Sequence, residues 1–357
     1  MNHQKRPMNL NNLKQNWDLI VIGGGITGAG ILREALRLGL DALLLEQNDF
    51  TWGTSSRSSK LVHGGLRYLE QGRLHLTRAS VIEREHLLQD APGLVEPVEF
   101  IVPVFYHQKP GRLALKTGLC LYDLIALKRG HQYYPKDRFL RLVPGIRRTG
   151  LLGGYGFYDA QADDCRLVLR LLGEAVAAGA AVLNYTRAVA ILRDKKGHVR
   201  GVTARDMESG TTRELTTRAV INATGVWAEG LHPFPEKKRH LRPLRGSHLI
   251  FPRAVLPLTA GISFRHPADH RSVFAVPWEN VILVGTTDID HGQDPFVEPV
   301  ITVKEAAYLL DGIRSIFPTG RAISANDCIA TLAGVRPVLS RGKKDASKES
   351  REHAVWK

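Results

Sequence analysis

Apolar and polar positions alternate least, and cluster most, near the start of the chain. WDLIVIGGGITGAGILREALRLGLDALLLEQ, Trp17 to Gln47, places an uninterrupted apolar run at Leu19–Ile22 and a second at Ala42–Leu45. Runs of this kind predict strands buried on both faces, as in a parallel sheet. Between them a glycine-rich turn leads into a helical period over about Thr27–Leu38, ended by Gly39. The segment reads as a βαβ unit.

Further along, 73–88 has a helical pattern, and Val95–Tyr106 is strand-like and punctuated by proline. RLALKTGLCLYDLIALKR, 112–129, is helical with basic ends, and another helix is expected over roughly Cys165–Ala178. Short strands follow, with turns at Lys196–Gly197 and Ser209–Gly210, and end in AVINATG, Ala219–Gly225. The stretch Leu241–Asp288 is rich in β-branched and aromatic residues broken by Gly and Pro, which predicts a mixed antiparallel sheet. The last clear helical period spans Val303–Ile316.

Gly23, Gly25 and Gly28 form GxGxxG between a strand and a helix. That context makes the motif a dinucleotide cradle: a tight turn at the first glycine, close approach of backbone to a pyrophosphate at the second, and close helix–strand packing at the third. Unpaired N–H groups at the helix start, Ile26 and Thr27, suit phosphate oxygens. Glu46 ends the second strand, where a ribose-binding acid belongs, with Gln47 beside it. The motif alone does not separate FAD from NAD. AVINATG, an apolar strand entering a small-residue turn, favours FAD.

The stretch GTSSRSSKLVHGGLRYLEQG, Gly53–Gly72, has no clean period. It crowds small hydroxyls, a glycine pair and separated positive groups into one short span. Arg336 stands among apolar residues and requires a partner, a salt bridge or a bound anion. His63 and His248 are both candidates for a neutral base near pH 7.

Composition narrows the class. The 357 residues are 43% hydrophobic and 24% charged, as in globular proteins. The net charge of +14 suits an anionic substrate, an anionic membrane surface or nucleic acid. The positive residues are scattered, which argues against nucleic acid. Cys120, Cys165 and Cys328 lie far apart with no metal spacing, so no metal is expected and the thiols read as reduced in a cytosolic setting. No secretory signal and no run of about 18 apolar residues is found.

In chain order, GGGITGAG, TSSRSSKLVHGGLRYLE, YDAQADDCRL, NATGVWA, RGSHLIF, FAVPWENVILVGTTD and AGVRPVLS resemble the FAD-dependent glycerol-3-phosphate dehydrogenases, from Trp17 to about His353. The resemblance implies a mixed α/β fold of D-amino-acid-oxidase topology: a glutathione-reductase-like FAD-binding domain with an inserted β-rich substrate domain. The expected division is a disordered lead at 1–16, an FAD-binding domain at 17–95, 151–235 and 325–357, and a substrate or cap domain at 96–150 and 236–324.

The same resemblance implies oxidation of sn-glycerol 3-phosphate to dihydroxyacetone phosphate, with hydride passing from C2 to FAD and electrons to quinone. It places Thr54, Ser55, Ser56, Ser59, Lys60, Leu61, His63, Gly64 and Gly65 along the flavin, and Ala188, Ala223, Thr224 and Gly225 on the cofactor. Arg67, Tyr68 and Arg336 would meet the substrate, with Arg336, His63 or His248 in the chemistry. Peripheral attachment to the inner face of the cell membrane is implied, with 112–129 as the interfacial helix, and a homodimer is compatible. In the family a strand, a Gly-Gly-Lys segment and a helical domain follow the position of Lys357, so an incomplete C-terminal part is expected. An amine or amino-acid oxidase, or an inactive flavoprotein remnant, are the rival readings.

Overall fold

In the computed structural model, which describes residues 9–127, 130–231, 240–318, 323–342, 349 and 353–356, the βαβ unit forms where the pattern requires. Strand β1 (Asn16–Ile22), helix α1 (Ile26–Arg37) and strand β2 (Ala42–Leu45) follow one another, with β1 and β2 parallel. Helix α1 gives way at Gly39, whose φ of +74° suits glycine. The chain continues through β3 (Leu61–Val62), α2 (Leu66–Glu70), α3 (Leu74–Asp90), β4 (Val95–Phe105), α4 (Arg112–Ala126) and β5 (Gln132–Pro135). Next come α5 (Lys136–Leu142), β6 (Leu151–Ala162), α6 (Asp164–Ala177), β7 (Ala181–Leu183), β8 (Thr186–Arg193), β9 (Val199–Asp206) and β10 (Thr212–Asn222). The last described elements are β11 (Leu241–Pro252), β12 (Gly261–Arg265), β13 (Ser272–Trp278), β14 (Val281–Gly285), β15 (Ile289–Asp290), α7 (Val303–Ile316) and β16 (Ala330–Leu339).

The first sheet has the order β7-β2-β1-β10-β9-β8. Its two faces divide the apolar run of β1 by parity, as the period of two demands. Leu19 and Val21 pack with Ala29 and Leu32 of α1 and Val168 and Leu172 of α6. Ile20 and Ile22 pack on the other face with Val202 and Leu215. Leu10 and Leu13 belong to that second core, and Arg213 donates to their carbonyl oxygens at 2.9 and 2.7 Å. The expected disordered lead at 1–16 is therefore corrected for residues 9–16, which are anchored by two leucines in a polar stretch too short to show a period. Residues 1–8 lie outside the described residues.

The second sheet is ten-stranded, in the order β15-β11-β14-β13-β12-β4-β6-β3, with β16 paired to β11 and β5 to β6. Helix α7 covers it, burying Leu309 and Ile313 against Phe251, Phe264 and Val284. Three of its strands, β3, β6 and β16, lie in segments that the sequence reading groups with the dinucleotide unit. Strand β6 is hard to read because glycines replace its apolar positions. A Cβ at Gly154 would stand 2.1 Å from the Phe139 ring, so the glycine makes room for α5. No helix among the described residues is long and apolar enough to cross a membrane.

Candidate active site

The parallel strands β1 and β10 end side by side, and their exits build the first half of the site. Gly23 has φ +114°, and a Cβ there would lie 2.5 Å from the Ala223 carbonyl oxygen. A Cβ at Gly28 would lie 1.8 Å from the Gly23 oxygen, so α1 can sit this close to the turn only with glycine at both positions. Gly25 precedes the first residue of α1, and its missing side chain leaves space against the Ser55 hydroxyl. The Ile26 N–H donates to Ser55 Oγ at 3.0 Å, while Ile26 and Thr27 are exposed at the helix start.

Glu46 follows β2 directly. Its carboxylate accepts the Gly24 N–H at 2.7 Å and the Asn48 N–H at 2.8 Å, which pins the turn to the strand end. Burial pushes its carboxyl above the ordinary range, against the lowering effect of those hydrogen bonds. Gln47 is half-buried next to it. Thr224 is fixed by its hydroxyl and N–H, both donating to Asn222 Oδ1 (2.6 and 3.2 Å), and Gly225 turns the chain away with φ +61°. Ala188 is buried in the core on β8, so only its backbone is available to a ligand. An exposed helix start, a small hydroxyl, close-approach glycines and a strand-end acid make a cradle that fits the ADP half of FAD.

The segment 53–65 runs from this cradle across β16 to β6. At Gly334 a Cβ would meet Arg57 backbone oxygen at 2.9 Å, so the crossing is close. Thr54 donates to the Val335 carbonyl at 2.5 Å, and Ser56 donates to the Gly53 carbonyl at 3.5 Å. Asp164, at the start of α6, gathers the middle of the segment: the Ser58 hydroxyl donates at 2.7 Å and Lys60 Nζ pairs at 2.5 Å. Lys60 also donates to the Ser56 carbonyl, so its ammonium is shared between Asp164 and Ser56. Leu61 then enters β3 and packs beside Phe100 and Phe157.

Beyond β3, one buried carboxylate organises the next turn. Asp159 accepts the Gly64 N–H at 2.7 Å, faces His63 Nδ1 at 3.2 Å, and pairs with Arg84 at 3.2 Å. Arg84 also donates to the Tyr122 hydroxyl at 2.8 Å, and desolvation holds that phenol far above its ordinary range. A Cβ at Gly64 would stand 1.7 Å from the same hydroxyl. Gly65 takes φ +85°, with the Tyr68 ring edge packed against it. His63 is 48% exposed; the Arg67 side chain lies outside the described residues.

The second sheet supplies the opposite wall. His248 on β11 is 2% exposed, and its Nε2 lies 2.8 Å from Ser59 Oγ, tying the sheet to the segment. Burial, reinforced by the positive charges of Arg336 and Lys60, pushes the imidazole down to about 3. Gly285 beneath it leaves room for the ring. Arg336 on β16 lies over Gly246, donating to Thr286 Oγ1 at 3.0 Å and pairing with Asp288 at 3.3 Å. Its side chain is 27% exposed. Glu305 on α7 backs this wall, accepting from Arg245, Ser247 and Thr287.

The 53–65 segment thus links the cradle through Ser55 to β16, the strand of Arg336, through Thr54, and to His248 through Ser59, and it carries His63. Sequence reasoning did not single out Asp159, Asp164, Arg84, Tyr122 or Glu305. Tyr122 lay inside the helical stretch 112–129, and Asp159 and Asp164 lay inside YDAQADDCRL, which gave no hint that they grip a segment about a hundred residues earlier.

Known proteins resemble this chain in sequence and fold. The aerobic glycerol-3-phosphate dehydrogenase of Staphylococcus haemolyticus is 33% identical over 361 residues, covering 100% of this chain and 64% of the relative. That of Bacillus subtilis is 34% identical, covering 100% of this chain and 65% of the relative. The chain therefore spans a little under two thirds of the length of these curated relatives. The structure of glycerol-3-phosphate dehydrogenase from Bacillus halodurans complexed with FAD superposes with a TM-score of 0.75 at 32% identity, over 92% of this chain and 58% of that one. L-alpha-glycerophosphate oxidase from Mycoplasma pneumoniae, at 18% identity and TM-score 0.72 over 92% of this chain and 85% of that one, shares the fold. The profile of the family described as FAD dependent oxidoreductase matches residues 18–352, and the chain belongs to that family.

Proposed function

We propose that the protein oxidises sn-glycerol 3-phosphate to dihydroxyacetone phosphate. The observation that carries this reading is the 53–65 segment, which leaves the FAD cradle, crosses β16, the strand of Arg336, and carries a half-exposed His63 held by the Asp159 carboxylate. Bound FAD would accept the hydride from C2 and pass electrons on to a quinone. The cradle residues Gly23, Gly25, Gly28, Glu46 and Thr224 hold the cofactor, and the 53–65 segment lines it.

His63 is assigned as the group that takes the C2 hydroxyl proton. With Nδ1–H donating to Asp159, Nε2 is left as the basic nitrogen, and the ring reaches solvent. His248 is unsuited to this task, because it is buried, strongly disfavoured as a cation and tied to Ser59. It serves instead as a neutral strut. Arg336 receives the phosphate, where a guanidinium fork matches the oxygens, and Arg67 is proposed as a second phosphate partner.

Helix α4 is proposed as the contact with the anionic, cytoplasmic face of the cell membrane. Leu113, Leu124 and Leu127 are 77%, 68% and 90% exposed, and Arg112 and Lys116 flank them. Leu124 and Leu127 continue into a groove with Leu74, His75 and Arg78.

The test is product formation. FAD-loaded protein with glycerol 3-phosphate and a quinone analogue should yield dihydroxyacetone phosphate, while glycine and sarcosine should yield no product. Turnover of an amino acid with glycerol 3-phosphate inert would refute the assignment in favour of the amine-oxidase class.

A further inference from the structure

Away from this site, three side chains on α4 and the turn after it form a Cys–His–Asp relay. Cys120 is exposed, and its Sγ lies 3.8 Å from His131 Nε2. His131 Nδ1 lies 2.7 Å from Asp123 Oδ2. The same carboxylate accepts the N–H groups of Gly130 and His131 at 3.1 and 3.4 Å, which fixes the turn that carries the ring. With Nδ1–H donating to Asp123, the Nε2 lone pair faces the sulfur. That is the tautomer a base needs to take a thiol proton.

Among the described residues the other two thiols have no such partner. Cys165 lies 3.1 Å from the Thr51 hydroxyl, and Cys328 donates to the Ala330 carbonyl at 3.0 Å. Neither oxygen is a base of useful strength. Among the described residues, therefore, one exposed thiol has an oriented imidazole and the other two thiols do not.

We propose that Cys120 is a reactive thiol that His131 and Asp123 prime for attack on a hydroperoxide. As Sγ attacks one peroxide oxygen, His131 Nε2 takes the thiol proton. The S–O bond forms as the O–O bond breaks. The departing hydroxide or alkoxide takes the proton from the imidazolium. The sulfur is oxidised by two electrons to a sulfenic acid, and the peroxide is reduced to water or an alcohol. Asp123 holds the tautomer and stabilises the transient imidazolium. The inference does not depend on the proposed dehydrogenase activity.

The experiment uses the whole chain at neutral pH, with iodoacetamide as a general electrophile and hydrogen peroxide followed by a dimedone probe for sulfenic acid. Peptide mass mapping gives separate rates for Cys120, Cys165 and Cys328. His131→Gln should slow both reactions of Cys120 by about a hundredfold, the low end of general-base contributions. Asp123→Asn should slow them by a smaller factor, and the rates of Cys165 and Cys328 should not change. Cys120 reacting as fast in His131→Gln as in the wild type would overturn the proposal, since exposure alone would then explain its rate. If His131→Gln also speeds Cys165, the substitution has loosened the fold, and Asp123→Asn, judged by the same criterion, decides.

Discussion

His248→Gln should remove one identifiable part of the acid sensitivity of this fold. The glutamine amide can retain the hydrogen bond to Ser59 that Nε2 now makes, but it cannot titrate. In the wild type the folded imidazole sits at about 3, because burial first, and Arg336 and Lys60 next, disfavour its cation. In the unfolded chain it titrates at its ordinary value of about 6.5. Between these values the unfolded state binds a proton that the folded state refuses, so stability rises with pH. The contribution is complete above the unfolded value and is lost as pH falls from about 6.5 toward 3, at a slope approaching 1.4 kcal/mol per unit. From pH 6.5 to 4.5 the wild type should lose about 2 kcal/mol more than the variant. Urea unfolding at half-unit pH steps measures both curves, and only their difference matters, so a constant penalty for the substitution cancels. Parallel curves would refute the claim that His248 is held neutral.

Other perturbations probe the remaining walls. Gly28→Ala would force a Cβ to within 1.8 Å of the Gly23 oxygen, and the purified protein should lose its flavin, read as an absorbance ratio at least about tenfold lower. Asp159→Asn leaves Arg84 buried with Glu85 as its remaining carboxylate, at a cost of about 3 kcal/mol, the low end for breaking a buried pair. For 357 residues that is a fall of about 4 °C in Tm by calorimetry, accompanied by lower kcat as His63 loses its orienting partner. Arg336→Ala should raise KM for glycerol 3-phosphate by about a hundredfold, as expected for a lost charge-assisted contact, with flavin content unchanged. Leu124→Glu should weaken cosedimentation with anionic vesicles and leave turnover of a water-soluble quinone analogue intact.

Particular residues show what sequence could and could not convey. The βαβ unit was legible because apolar runs, a glycine turn and Gly39 all agree on one period and one set of ends. Helix α7 was legible for the same reason, aided by its Thr302–Glu305 capping box. Strand β6 was hidden because Gly153, Gly154 and Gly156 sit where side chains would advertise a strand, and Tyr134 and Phe139 fill the space instead. The short elements β3 and α2 carry too few residues to show any period.

The site divides along the same line. The glycines, Glu46 and the serines announce themselves locally. The difference between His63 and His248 does not. It rests on Asp159, which lies 96 residues from one ring, and on the packing of the other against Gly285 and Ser59. Arg336 is half of each reading that its apolar setting allowed: it is ion-paired to Asp288, and its side chain is 27% exposed. Such tertiary partners are set by topology, not by spacing along the chain.

The central claim is that this wall delivers glycerol 3-phosphate to a flavin held in the glycine cradle. The most direct measurement is the visible spectrum of the FAD-loaded protein before and after anaerobic addition of glycerol 3-phosphate. The account expects the oxidised-flavin band to bleach with glycerol 3-phosphate, to persist with glycine or sarcosine, and to bleach far more slowly in His63→Gln. A bound flavin that stays oxidised with glycerol 3-phosphate, or is reduced by the amino acids instead, would contradict it.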